Sequence, residues 1–173
     1  FHVTGVQTCA LPISLAEEAG GKLGVAPEVL MAQAALETGW GRAVIRHGDG
    51  RSSHNLFNIK AGSDWQGERV MKNTVEYRGG VAAREKAAFR SYPSFAASFR
   101  DYVDFIQSRP RYQEALKHAD DGGRYLEELQ KAGYATDPAY ADKIRRILFD
   151  GPLAEAVSSL KVSQEGTLTT NGG

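Results

Sequence analysis

Apolar residues recur along this chain with a helical period near both ends and with strand-like alternation in the middle. Leu15, Ala16, Ala19 and Leu23 share one side of a short amphipathic helix over 15–23, which Gly24 ends. Pro27 then stands where a first helical residue belongs, and 27–38 is rich in the good helix formers Ala, Leu, Met and Gln until Gly39-Trp40-Gly41 stops it. Residues 42–69 show no period and are punctuated by Gly48, Gly50, Gly62 and Gly67. They predict a long irregular loop, a feature that in compact domains often serves function. Over 70–77 the period becomes two, with Val75 and Tyr77 on one face and Thr74 and Glu76 on the other. Gly79-Gly80 signals a turn, and a returning strand up to Phe89 completes a hairpin.

Beyond Pro93 the helical period returns. Ser94 is placed to cap a helix over 95–107 whose stripe is Phe95, Phe99, Tyr102, Val103 and Ile106. Two shorter helices are predicted over 110–119 and 124–132, with Gly133 in the left-handed position that closes the second. Asp137-Pro138 supplies a cap and a first helical residue for a last helix running to about Phe149, with Tyr140, Ile144, Ile147 and Leu148 inward. There is no internal repeat. Helices set apart from one small antiparallel hairpin predict an α+β fold, and a cleft between the two lobes suits an extended substrate.

At 173 residues, 42% hydrophobic and 24% charged, the chain has the makings of one domain with a real core and flexible ends. Lys plus Arg and Asp plus Glu number 21 each, so charge gives no case for nucleic acid or an anionic membrane as partner. No apolar run approaches the roughly 20 residues of a membrane span. The four histidines (His2, His47, His54, His118) have no metal-ligand spacing, so no metal and no cofactor is expected. Cys9 is alone and allows no internal disulfide. Phe1–Ser14 lacks both helical and strand periodicity and resembles translated sequencing-adapter sequence, so it is expected to be non-native. The expected domain is 15–150, with 151–173 a flexible tail or linker.

Two carboxylates draw attention. Glu37 follows Leu30 by seven residues and Ala34 by three, which puts the three on one helical face. There its carboxyl leaves bulk water, and the negative end of the helix dipole works in the same direction, so its pKa is raised and it can serve as an acid near neutral pH. Glu76 is a candidate partner, since glycoside hydrolysis usually employs two carboxylates across the scissile bond. On helix and strand geometry alone, a solvent-facing glutamate is the simpler reading of both.

The blocks Ala32–Gly41 (AQAALETGWG), Asn55–Ala61 (NLFNIKA), Thr74–Tyr77 (TVEY), Phe89–Ser94 (FRSYPS) and Gly133–Lys143 (GYATDPAYADK) occur in this order. Together they resemble the glucosaminidase domain of flagellar peptidoglycan hydrolases of the FlgJ type and their glycoside hydrolase relatives, over roughly 15–150. The resemblance implies a lysozyme-like fold and cleavage of peptidoglycan glycan strands between N-acetylglucosamine and N-acetylmuramic acid. By position, Glu37 matches the family's acid, Glu76 its second acidic residue on the hairpin, and Tyr134 a tyrosine near the acid. Asn55, Phe57 and Asn58 match a loop implied to shape the sugar site, and Trp40 and Tyr140 are candidates to stack on sugars. Asn58 stands where many relatives have glycine, and asparagine tolerates left-handed backbone well. Trp65 could belong to the cleft or to the surface.

Three roles are open for Glu76: base for an attacking water, charge stabiliser, or bystander to attack by the substrate's own acetamido group. The rivals to a hydrolase are a lytic transglycosylase, which needs one acid and which Glu76 counts against, and an inactive glycan-binding module, which Glu37 counts against. The resemblance further implies a monomer acting in the periplasm or at the cell surface, with flagellar rod proteins as possible partners.

Overall fold

The computed structural model describes residues 5–150, with side chains from Ile13 onward; the expected tail at 151–173 lies outside the described residues. Helices α1 (Gly5–Leu23) and α2 (Pro27–Thr38) come first. A long connection leads to strands β1 (Arg69–Arg78) and β2 (Val81–Arg90). Helix α3 (Phe95–Ser108), a 3-10 turn (Pro110–Tyr112), and helices α4 (Gln113–Lys117), α5 (Gly122–Lys131) and α6 (Tyr140–Asp150) follow. The α+β expectation therefore holds: a helical body carries one two-stranded antiparallel sheet.

The body closes around one core. α2 packs against α1 and α6, and α3 against α1. Leu30, Phe57, Tyr102, Ile106, Tyr125, Leu126, Leu129 and Ile144 are buried at its centre. Fully burying a side chain of this kind is worth about 1.5–3 kcal/mol, which is why these helices form despite their short lengths. Phe57, from the connection, stacks on Tyr102 with ring centroids 4.2 Å apart and so ties the connection to the body.

Local signals set several boundaries as expected. Ser94 accepts a hydrogen bond from Ala97 N–H and caps α3. Gly133 has φ +82 and lets the chain reverse after α5. Other boundaries differ, among them these. The backbone is helical from Gly5, so α1 starts upstream of the expected Leu15. The single helix expected over 110–119 is a 3-10 turn followed by the short α4. Asp137 accepts from Ala139 N–H, but Pro138 and Ala139 form a turn and α6 begins at Tyr140.

The connection is less irregular than its composition implies. Ser53, Asn55, Phe57, Ile59 and Ala61 are all buried and alternate with more exposed residues, although left-handed angles at His54 and Asn58 turn the backbone. Lys60 bridges Phe89, Arg90 N–H bonds Ile59 C=O at 3.0 Å, and Ala61 N–H bonds Ala88 C=O at 2.9 Å, so the end of this segment, 59–61, pairs with β2. The hairpin pairs residue for residue from Arg69 with Arg90 to Arg78 with Val81. Its base buries Ile45, Val70 and Phe89, whereas Met71, Val75 and Val81 on its outer part are exposed.

Candidate active site

The hairpin, the connection and the α5–α6 loop enclose a cavity of about 390 Å³ lined by both glutamates singled out above. Glu37 reaches it from the last turn of α2. That helix ends because Gly39, Trp40 and Gly41 all take left-handed backbone angles, at φ +54, +61 and +83. Thr38 pins the reversal, donating from Oγ1 to Ala34 C=O at 2.7 Å and accepting from Gly41 N–H at 2.9 Å.

Glu37 is partly buried, and burial raises its pKa from 4.5 to about 7. Hydrogen bonds from the Asn58 amide and the Tyr140 hydroxyl oppose that rise, and the charge of Glu76 adds to it. The Asn58 bond is 2.8 Å to Glu37 Oε2, and the same Nδ2 donates to the Glu37 backbone carbonyl at 2.9 Å. Asn58 reaches both because its backbone is left-handed, at φ +49. Its Oδ1 is buried without a protein partner among the described residues.

Glu76 points inward from β1 with only 8% of its surface exposed, while its neighbour Val75 faces solvent. Burial pushes this carboxyl up, but hydrogen bonds from Lys60 and Thr136 and the charge of Lys60 win, and its pKa lies below the usual value. Lys60 Nζ is 2.5 Å from Oε1, and Thr136 Oγ1 donates to Oε2 at 2.7 Å. Thr136 also accepts from Tyr77 N–H at 3.0 Å, so the hairpin meets the α5–α6 loop directly over the site. One cleft thus holds a carboxyl that keeps its proton to about neutral pH and a carboxylate that stays ionised, the separation of roles that acid–base catalysis requires.

The other residues singled out from sequence divide into lining and scaffold. Phe57, Asn58, Tyr134 and Tyr140 line the cavity. Tyr134 donates from its hydroxyl to Phe57 C=O at 2.8 Å, which braces the segment beside the acid. Asn55 lies beneath the surface: it is fully buried, donates to Ile59 C=O and Arg90 C=O, and accepts from Ile59 N–H, so it holds the segment on β2. Trp40 is 50% exposed and does not line the cavity. Trp65 packs edge-on against Tyr92 and under the Arg90 guanidinium, outside the cavity. His47 and His54 bond Ser91 Oγ and Tyr92 C=O and anchor the connection. Lys60 and Thr136 were not singled out, although both lie inside quoted sequence blocks; a lysine and a threonine carry no pattern of their own until the fold sets them beside Glu76.

Comparison with known proteins agrees with this arrangement. The family described as mannosyl-glycoprotein endo-beta-N-acetylglucosaminidase (Glucosaminidase) matches residues 13–150. The peptidoglycan hydrolase FlgJ of Pseudomonas aeruginosa is 51% identical over 150 residues, covering 87% of this chain and 38% of that protein. The chain thus spans about two fifths of the length of this relative. A crystal structure of a mutant peptidoglycan hydrolase from Sphingomonas sp. A1 superposes with a TM-score of 0.78 at 44% identity, covering 84% of this chain and 94% of that one. A C-terminally truncated glycoside hydrolase domain of Salmonella typhimurium FlgJ does so with 0.60 at 40% identity, covering 79% and 87%. With the matched family spanning nearly all the described residues, and both carboxylates inside that span, this chain belongs to the glucosaminidase family.

Proposed function

We propose that this domain hydrolyses peptidoglycan at the β-1,4 bond from N-acetylglucosamine to N-acetylmuramic acid, with Glu37 as general acid. The observation that carries the reading is the pair of carboxyls whose proton affinities are driven apart within one cavity. Glu37 gives its proton to the muramic acid O4 as the bond from that oxygen to the glucosamine C1 breaks and positive charge builds on the sugar ring. Water adds at C1, and its surplus proton is taken up by a carboxylate. We assign to Glu76, held by Lys60 and Thr136, the role of stabilising that charge or accepting that proton, a role its lowered pKa supports.

The FlgJ relatives, named as peptidoglycan hydrolases, support the choice of polymer. That substrate implies action in the periplasm or at the cell surface. A flagellum-associated role beside rod proteins, and a monomeric state, belong to the same proposal. The test is Glu37→Gln. The variant should retain binding to insoluble peptidoglycan while cleavage falls by at least about 100-fold, the low end for loss of a general acid. Cleavage within a few-fold of the parent would sink the assignment.

A further inference from the structure

Gln33 lies one helical turn before Glu37 on α2 and is fully buried. Its amide is gripped from two sides. Tyr102 donates from its hydroxyl to Oε1 at 2.8 Å, and Nε2 donates to the Tyr140 hydroxyl at 2.9 Å. Behind Tyr102 stands the buried Tyr125, the two hydroxyls being 2.6 Å apart. Since Tyr102 spends its hydrogen on Gln33, Tyr125 must be the donor in that pair. The bonds therefore run one way: Tyr125 to Tyr102, Tyr102 to Gln33, Gln33 to Tyr140.

The direction matters at the end of the chain. Tyr140 takes a hydrogen on its oxygen from Gln33, so its own hydrogen is free for the Glu37 carboxyl, which lines the same cavity and whose pKa this hydroxyl lowers. Were the amide turned over, its oxygen would face Tyr140 and draw that hydrogen away from Glu37. Tyr102 would then have to donate to Tyr125, whose buried hydroxyl hydrogen has no other acceptor among the described residues. Leaving a buried donor unpaired is costly, so the network selects one orientation of the amide.

We propose that Gln33 is a positioning residue for the acid–base site, one that locks the Tyr140 hydroxyl as a donor aimed at Glu37. The inference rests on the role given to Glu37 under Proposed function, but it concerns a titration that can be followed without turnover. The groups facing Glu37 are Asn58 from the connection, Tyr140 from α6, Tyr134 from the α5–α6 loop, and Glu76 with its partner Lys60. Only Tyr140 is bonded to Gln33, so a change transmitted from Gln33 passes through that hydroxyl.

The test is the midpoint of the Glu37 carboxyl titration, followed by carbon-13 NMR in protein labelled at glutamate, with Glu37→Gln identifying the signal. Tyr140→Phe should move the midpoint upward by about half a pH unit, the worth of one hydrogen bond to the ionised form. Gln33→Met should move it in the same direction, and the double variant should move it no further than Tyr140→Phe alone. Tyr102→Phe, which touches neither Glu37 nor Tyr140 through a hydrogen bond, frees the amide to turn and should give a smaller upward shift. That variant keeps the test open if Gln33→Met does not fold. An unchanged midpoint in the folded Gln33 and Tyr102 variants, with Tyr140→Phe shifted, overturns the proposal. So does additivity in the double variant. Failure of the parent to cleave peptidoglycan would instead count against the function and leave this titration readable.

Discussion

The two glutamates carry the same functional group, and their surroundings give them opposite tasks. Glu37 is held among apolar and aromatic side chains, and its proton is retained to about pH 7. Activity that needs this proton should therefore fall as pH rises through about 7, which a kcat/KM profile will read. Folding stability changes in the same window. Folded Glu37 binds its proton more tightly than the unfolded chain does, so its contribution is complete below about pH 4.5 and is lost as pH climbs to about 7. Glu37→Gln escapes that loss. It should be more stable than the parent by on the order of 2 kcal/mol at pH 8 and no more stable at pH 4, as urea unfolding at both values would show. Glu76 is governed by Lys60 and Thr136. Lys60→Met removes the opposing charge, so the acid limb of the profile should move to higher pH; an unmoved acid limb would mean that the ionisation of Glu76 does not limit the reaction. The helical face of Glu37 suggested how its pKa could rise, but geometry alone favoured a solvent-facing glutamate, and it was the five ordered blocks that pointed to the acid. It could not reveal Lys60, Thr136 or Gln33, whose partners lie 16, 60 and 107 residues away along the chain.

Among the secondary-structure elements, the helices and the hairpin could be read from periodicity because each buries one face or one stripe. Ser94 and Gly133 marked ends that the fold uses. The segment around Asn55 could not be read that way. Alternate residues are buried although the backbone turns at His54 and Asn58, and its inward positions include the polar Ser53 and Asn55, which hide the apolar alternation. Polar residues are tolerated there because their hydrogen bonds are met inside: Asn55 alone serves Ile59 twice and Arg90 once. Asn55→Ala strands those backbone groups and should cost about 2–4 kcal/mol in chemical denaturation. Because the same segment carries Phe57, Asn58 and Lys60, activity should drop as well, even at temperatures where the variant is fully folded. A loss below about 0.5 kcal/mol would show that the segment is held by packing alone. The 110–119 stretch misled for a different reason: Arg109 stays extended before Pro110, and the first turn winds as a 3-10 turn before α4 starts.

The described residues form a well-packed helical body with a thin hairpin lobe whose own core is Ile45, Val70 and Phe89, with Ala87 packed against it. The site lies between them and draws on α2, the connection, β1, the α5–α6 loop and α6. No single block of sequence could have shown it, whereas five blocks in order could, because each contributes at least one residue to the lining. The central claim is that this cleft adds water across a glycan bond with Glu37 as acid. It is tested most directly by mass spectrometry of muropeptides released from purified peptidoglycan. The account predicts products that have gained water and end in reducing N-acetylglucosamine. Products ending in 1,6-anhydro-N-acetylmuramic acid would contradict it and assign the cleft to a lytic transglycosylase.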